Sequence, residues 1–406
     1  MRSESVAALL TTTLGVLDDE LLRFRRDIHR NPELAWEETR TTDVVAERLA
    51  AAGLVVRRLN PTGLVADIGV GQGRCVVGLR ADIDALPLME RTYLPFRSRR
   101  DGVSHACGHD VHATALLGAG LALQRHVDEL TKRDLAVRLI FQPAEETMPG
   151  GGRMVSESRE LDGVDTVFAL HCDPRRLVGE VGIRPGPITA ASDRVVVRLK
   201  GAGGHTSRPH LTADLTYALA KVVTDVPAAI SRRLDPRATA ALVWGSIHAG
   251  NAPNVIPDQG EAAGTLRMMD PVAWQSIGPL LSELVHAVIA PYGVTAELLH
   301  TQGVPPVVNS PEGAVAVRLA AREMFGVSSI RDTEQSMGGE DFAWILKGRR
   351  GALARLGTGT PGGRTYDLHR GDLVIDEKAV GFGARLLAAL PFAARDVADQ
   401  ERSLRA

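Results

Sequence analysis

The chain has 406 residues, of which 44% are hydrophobic and 24% charged, with a formal net charge of -2 at pH 7. That length supports more than one hydrophobic core, and the near balance of charge implies no strong field for nucleic acid. Three scattered cysteines, Cys75, Cys107 and Cys172, form no disulfide framework and suit a reducing, cytoplasmic compartment.

Residues 1–20, MRSESVAALLTTTLGVLDDE, have one early arginine, a broken apolar run and no small-residue cleavage site. They read as the start of a helix, not as a signal peptide. Helical periodicity runs over 5–28, with Leu17, Leu21, Leu22 and Phe24 among its apolar positions, and Pro32 ends it. A second helix covers TTDVVAERLAAAG and closes at Gly53. LVADIG (64–69), CVVGLRADID (75–84), LAVRLIF (135–141) and VDTVFALH (164–171) are strand-like. Their nearly continuous apolar runs fit a sheet covered by helices on both faces. Helices at about 109–127 and 151–160 separate them, which is an α/β layer pattern.

The texture changes near residue 192. SDRVVVRLKGAGG is a strand of alternating character, followed by a helix over about 211–232, two strands in ATALVWGSIHAG and GEAAGTLRMM, a helix over about 271–290 and a last strand in GVTAELLH. That order, βαββαβ, is a two-layer, ferredoxin-like module. Helix, strand and helix resume after residue 305. The expected organisation is a mixed-sheet α/β domain in two parts, 1–190 and 303–394, interrupted by an inserted module at 191–302. A polar tail, 395–406, frays beyond a helix at 375–392. No apolar run approaches the ~18 residues of a membrane span.

The chemistry concentrates at the ends of the strand-like runs. SHACGHDVH (104–112) places His105, Cys107 and His109 on alternate positions of an extended segment, on one side of it. Thiolate and imidazole together suit zinc or a similar transition metal. A buried cysteine with locally hydrogen-bonded histidines fits that segment equally well. FQPAEE (141–146) sets Glu145 and Glu146 after a proline at a strand end, where active sites of α/β proteins collect. RADIDALP (80–87) ends a strand with Asp82 and Asp84, and FALH ends one with His171. His205 follows glycines in GAGGHTSRPH, and His369 lies far downstream in LHRGD. Walker A, strand-linked GxGxxG and GxSxG patterns are absent, which argues against phosphate-loop and serine-hydrolase chemistry.

In combination, RADIDALP, SHACGHDVH, FQPAEE, GAGGHTSRPH, NVIPD (254–258), GTLR (264–267), PPVVN (305–309), MGGEDF (337–342) and LH (368–369) span most of the chain. In this order they resemble the amidohydrolases of peptidase family M20, in the group with hippurate hydrolases, N-acyl-amino-acid aminoacylases and plant indole-acetyl-amino-acid hydrolases. The resemblance implies a metallohydrolase that cleaves the amide of an N-acyl amino acid, or a peptide-like amide, to a carboxylic acid and a free amino acid. It implies two divalent metal ions per subunit, zinc, manganese, cobalt or nickel. The implied ligands are Cys107, His109, Glu146, His171 and His369, with Cys107 in place of a bridging aspartate. A metal-bridged water would attack, with Glu145 as general base. His205 would reach a neighbouring subunit's site in a homodimer and polarise the substrate carbonyl, and the inserted module would be the lid and dimerisation domain. Asp82 and Asp110 would support the ligands, and Asn254 would help bind the substrate carboxylate. No nucleic-acid or membrane partner is implied. Departures are Cys172 after the ligand His171, and Arg99, Arg100 and Arg208, which bear on substrate preference. A dipeptidase or aminopeptidase, and a non-catalytic binding or regulatory protein on the same fold, are the competing readings.

Overall fold

The computed structural model describes residues 5–69 and 75–405, so the first four residues of the N-terminal segment and the last residue of the tail lie outside it. The chain divides into two compact units. One comprises Met1–Gly186, Val308–Glu334 and Asp341–Ala406; the other comprises Pro187–Val307 and Gln335–Glu340.

The first unit is built on a mixed eight-stranded sheet in the order Val56–Arg58, Leu64–Ile68, Leu135–Gln142, Cys75–Asp82, Val164–Leu177, Arg350–Gly359, Val181–Gly182, Ile330–Arg331. The four central strands are parallel. Their apolar residues are buried on both sides, as expected of parallel strands covered by helices. Helices Val6–Arg30, His109–Arg125 and Lys378–Arg405 pack on one another, and the latter two pack on this sheet. The helix His109–Arg125 is buried from His109 through Leu123, so it has no solvent face and behaves as a core element. Asn309 of PPVVN is a buried clasp. Its amide donates to the carbonyls of Arg184 and Leu353 and accepts the N–H of Leu353, as a neighbouring strand would.

Register brings the chemistry to one end of the sheet. Asp82 pairs with Gln142, and Arg80 pairs with Ala169, two residues before His171. The segments that follow Asp82 and Gln142 therefore leave the sheet side by side, at the carboxyl ends of parallel strands.

Two sequence expectations change. The strand containing His171 does not end there but runs on to Leu177, because Arg350–Gly359 keeps pairing with it past His171. The segment 395–406 is not a frayed tail: the last helix continues to Arg405. Val397 is buried, Glu401 pairs with Arg350, and Arg395 and Arg402 flank Asp399. A polar composition concealed a helix held by i,i+3 and i,i+4 ion pairs.

The second unit carries a four-stranded antiparallel sheet, ordered Ala241–Ala249, Gln259–Met268, Ala191–Lys200, Thr295–Val304, with helices Leu215–Arg233 and Pro271–Ile289 packed on it. The chain order is βαββαβ. The segment Pro271–Tyr292, although its apolar run is interrupted, is long and apolar enough to cross a membrane by length and composition. Its apolar stripe, Trp274, Ile277, Leu281, Leu284, Val285 and Ile289, is buried in the unit. Asp193, fully buried, ties this layer together. It accepts from Trp274 Nε1 (2.9 Å) and the Gly303 N–H (3.0 Å), and lies 2.7 Å from His300 Nε2.

Replacing Asp193 strands three polar groups in a water-poor layer. Asp193→Ala is expected to destabilise the second unit by about 2–4 kcal/mol. Urea unfolding followed by tryptophan fluorescence checks this; an unchanged midpoint would show that apolar burial alone fixes the helix.

Candidate metal centre

The segment 104–112 turns sharply before it becomes a helix. Gly108 has φ +86° and serves as the N-cap of the helix that starts at His109. A side chain there would meet the Cys172 sulfur at 2.8 Å and would be strained in the left-handed region. The turn directs Cys107 and His109 into a shared cluster. The donor atoms of Cys107, His109 and His171 lie within 4.8 Å of one another, and so do those of Cys107, Glu146 and His369. Glu145, Glu146 and His109 form a further such group. Cys107 Sγ is 3.5 Å from His171 Nε2, and Glu146 Oε1 is 3.1 Å from His369 Nε2 and 3.9 Å from His109 Nε2. Two adjoining donor sets with one shared sulfur are the arrangement a pair of metal ions needs.

The outer hydrogen bonds point the same way. His109 Nδ1 faces the Asp84 carbonyl (3.0 Å) and Oδ1 (3.2 Å), and His171 Nδ1 donates to the Cys172 carbonyl (2.9 Å). Each ring thereby presents Nε2 to the cluster, the way metal-bound histidines are held. His109 Nε2 is buried without a hydrogen-bond partner, and buried Glu146 Oε1 has only the His369 and His109 rings facing it. Buried polar atoms left unpaired are costly, and a divalent cation would satisfy both. The donor set therefore fits a metal. His112 sits among the ligand atoms yet is fully committed. Its Nδ1 is 2.5 Å from Asp82 Oδ1, and its Nε2 accepts the Cys172 N–H at 2.8 Å.

Charge is arranged accordingly. Burial pushes the Cys107 thiol well above its usual range, so it needs a cation to become a thiolate. Burial also holds His171 well below the usual imidazole range, which keeps it neutral and able to donate a lone pair. Asp82 is buried too, but His109, Arg80 and His112 outweigh that and hold its carboxyl well below the usual value. Two non-glycine residues take left-handed backbone conformations here, Ala144 (φ 51°) and His369 (φ 57°). The Ala144 N–H donates to buried Glu38 (2.7 Å), and the His369 N–H donates to the Ala106 carbonyl (2.7 Å). These bonds hold strained turns in place beside Glu145, Glu146 and Cys107.

Some assignments move. Asp110 touches none of the donor atoms. It is fully buried against Arg25 Nε (2.8 Å) and His29 Nδ1 (2.9 Å), anchoring the buried helix to the first one. One helical step past His109 turns its side chain away from the cluster. Asp84, unlike Asp110, does face the donor residues: it meets His109 Nδ1 and also accepts the Glu146 N–H (2.9 Å), and so couples two of the segments. Its place in RADIDALP was the available signal. Glu38 had no such signal, because its partners Thr62 and Ala144 are distant in sequence, whereas His112 belongs to SHACGHDVH and lies three residues along the helix from His109. His105 points elsewhere: both ring nitrogens are buried and unpartnered, and burial lowers its pKa to about 4. Cys172 is fully buried in the hydrophobic core. Arg100 pairs with Glu37 at the surface.

In the second unit, His205 and Asn254 are neighbours. Gly204–His205 pairs with Val255–Ile256, and the Thr206 N–H donates to the Asn254 carbonyl at 3.2 Å. His205 is exposed, and its Nδ1 accepts the Ser207 N–H (3.1 Å), with Ser207 Oγ at 2.8 Å. With Nδ1 accepting, the ring N–H of the neutral form lies on Nε2.

Residues 78–392 match the family model described as peptidase family M20/M25/M40. A Bacillus subtilis protein named N-acetyl-L-cysteine deacetylase is 36% identical over 368 residues, 90% of this chain and 86% of that one. A Rhodococcus jostii protein named putative glutamate–cysteine ligase 2-3 is 45% identical over 390 residues, and the match covers 96% of this chain but 48% of that longer protein. Among solved structures, the Bacillus subtilis YXEP protein, described as a dinuclear metal binding peptidase from the M20 family, superposes with a TM-score of 0.81 at 32% identity, covering 94% of this chain and 98% of that one.

If Asp84 orients His109 and the Glu146 loop, Asp84→Ala should weaken metal retention by about 10- to 100-fold. Titrating the apo protein against a competing chelator measures it; wild-type affinity would remove Asp84 from that role.

Proposed function

Because the chain belongs to peptidase family M20/M25/M40, a family of metal-dependent amide hydrolases, we propose that it cleaves N-acyl amino acids to a carboxylic acid and a free amino acid. The observation that carries this reading is the pair of donor sets sharing Cys107, with the second carboxylate of FQPAEE, Glu145, beside them. Cys107, His109, Glu146, His171 and His369 would hold two divalent ions. When bound, such ions supply Lewis acidity and make water a better nucleophile near neutral pH. A thiolate in the set favours zinc-like ions.

Glu145 takes the proton of the attacking water and delivers it to the leaving nitrogen, since an amine leaves an amide only when protonated. His205 donates a hydrogen bond from Nε2 to the substrate carbonyl oxygen as negative charge develops there. The Nδ1–Ser207 hydrogen bonds support that tautomer. In this reading the second unit is a lid and dimerisation module that brings His205 to a neighbouring subunit's site, and Asn254 lies beside it to meet the substrate carboxylate. Asp82, through His112, steadies the strand that carries His171.

The deacetylase-named relative makes N-acetyl-L-cysteine the first substrate to test. A second reading, a dipeptidase, is favoured by the peptidase description of the solved neighbour.

A metal-reconstituted panel of acetyl-, benzoyl- and indole-acetyl-amino acids beside dipeptides separates the two. Turnover of the acyl amino acids is expected; turnover of dipeptides alone would reject the acyl reading. Glu145→Gln should abolish turnover with bound metal retained. His205→Ala should lower kcat by about 100- to 1,000-fold, again with metal retained. Metal loss in both variants would overturn this division of roles.

A further inference from the structure

Two glycine-rich motifs, PGGGR at 149–153 and MGGEDF at 337–342, have no part in the reaction above. Both converge on Asp341. Its side chain is fully buried and accepts from three residues. Arg80 Nη2 lies 3.0 Å from Oδ1, Gln142 Nε2 lies 2.7 and 2.9 Å from the two oxygens, and the Gly152 N–H lies 2.7 Å from Oδ2. Arg80 is buried as well, and its Nη1 and Nε reach Asp82 Oδ2 (2.7 Å) and Gln142 Oε1 (2.8 Å). The glycines follow from this crowding. A side-chain carbon on Gly152 would lie 2.8 Å from the Asp341 carboxyl carbon and closer still to its carbonyl oxygen, and one on Gly150 would collide with the carboxylate. One acidic residue thus gathers the ends of two strands, the loop after FQPAEE and the start of its own helix. From that anchored position its backbone N–H faces Glu145 Oε1 at 3.4 Å.

We propose that Asp341 is the positioning residue for Glu145, holding the proton-carrying carboxylate in place through its backbone N–H while Arg80, Gln142 and Gly152 lock its own side chain. The inference rests on the reading of Glu145 as proton carrier. Its logic is geometric. Asp341 touches none of the donor atoms of Cys107, His109, Glu146, His171 or His369 in any of the clusters above. Losing its carboxylate should misplace Glu145 and leave the metal donors intact. Small displacements of a reacting group are costly in turnover while ground-state binding survives.

Asp341→Asn tests it. The amide has the same shape but sets an NH2 group among donors that all require an acceptor. With zinc-loaded full-length protein and N-acetyl-L-cysteine, kcat should fall about 10- to 100-fold. KM should stay within about threefold and bound zinc per subunit at the wild-type level. A crystal structure of the zinc-loaded variant should show the Glu145 carboxylate displaced, a readout independent of turnover. An unmoved Glu145, or a kcat within about twofold of wild type, would overturn the inference, as would zinc loss in parallel with activity. If Asp341→Asn does not fold by circular dichroism, Gly152→Ala is judged by the same criteria; failure of both to fold would mark Asp341 as a purely structural residue and overturn the proposal. Glu145→Gln keeps the two readings apart. An active Glu145→Gln rejects the role of Glu145 itself, whereas an inactive one beside a fully active Asp341→Asn rejects only the positioning.

Discussion

A guanidinium withdrawn from water organises the carboxyl end of the main sheet. Arg80 is 1% exposed, and a buried charge persists only if its donors are satisfied. Asp82, Gln142 and Asp341 satisfy them from three separate parts of the chain. That demand fixes the ends of two parallel strands against each other and fastens a distant segment onto them. Removing one partner would leave the others charged or unpaired in a low-dielectric interior, so the network holds as a unit. The segments carrying Cys107, His109, Glu145 and Glu146 leave the sheet from this frame.

Around the frame, hydrogen bonds decide what each histidine can do. His109 and His171 have Nδ1 engaged and Nε2 turned to the donor cluster. His112 lies in the same cluster, but both nitrogens are engaged, so it braces rather than binds. His105 has both nitrogens free and buried, and burial keeps it neutral. Three histidines within eight residues thus take three different physical roles. The same division applies to the acids. Asp84 and Asp110 are both buried, but one supports the donor set and the other joins two helices. Strained turns at Ala144 and His369 persist because each backbone N–H has a fixed acceptor.

The second unit follows a different physical logic. Its sheet has helices on one side, and the strand Ala191–Lys200 exposes Arg194, Arg198 and Lys200 between buried neighbours. Its hydrophobic helix, Pro271–Ile289, is a layer element because one stripe is buried and Trp274 is tied to Asp193. Composition alone does not separate such a helix from a membrane-crossing one; the packing of its apolar stripe does.

Much of this protein was legible from sequence because the signals were local. Continuous apolar runs marked the parallel strands, the change of texture near residue 192 marked the βαββαβ module, and short motifs marked where donor residues cluster. What the sequence could not carry was direction and partnership across long separations. Asp82, Asp84 and Asp110 look equivalent as letters, yet strand alternation and helical rotation send them to different neighbours. The strand beyond His171 and the helix beyond residue 394 depend on Arg350–Gly359 and on ion pairs that composition does not encode. The role of Asp341 depends on Arg80, 261 positions away in sequence. Local pattern therefore determined which elements form and which residue types gather at their ends. Only the tertiary structure decided which atom faces which, because burial makes every polar group seek a partner and only the folded chain sets which partners are within reach.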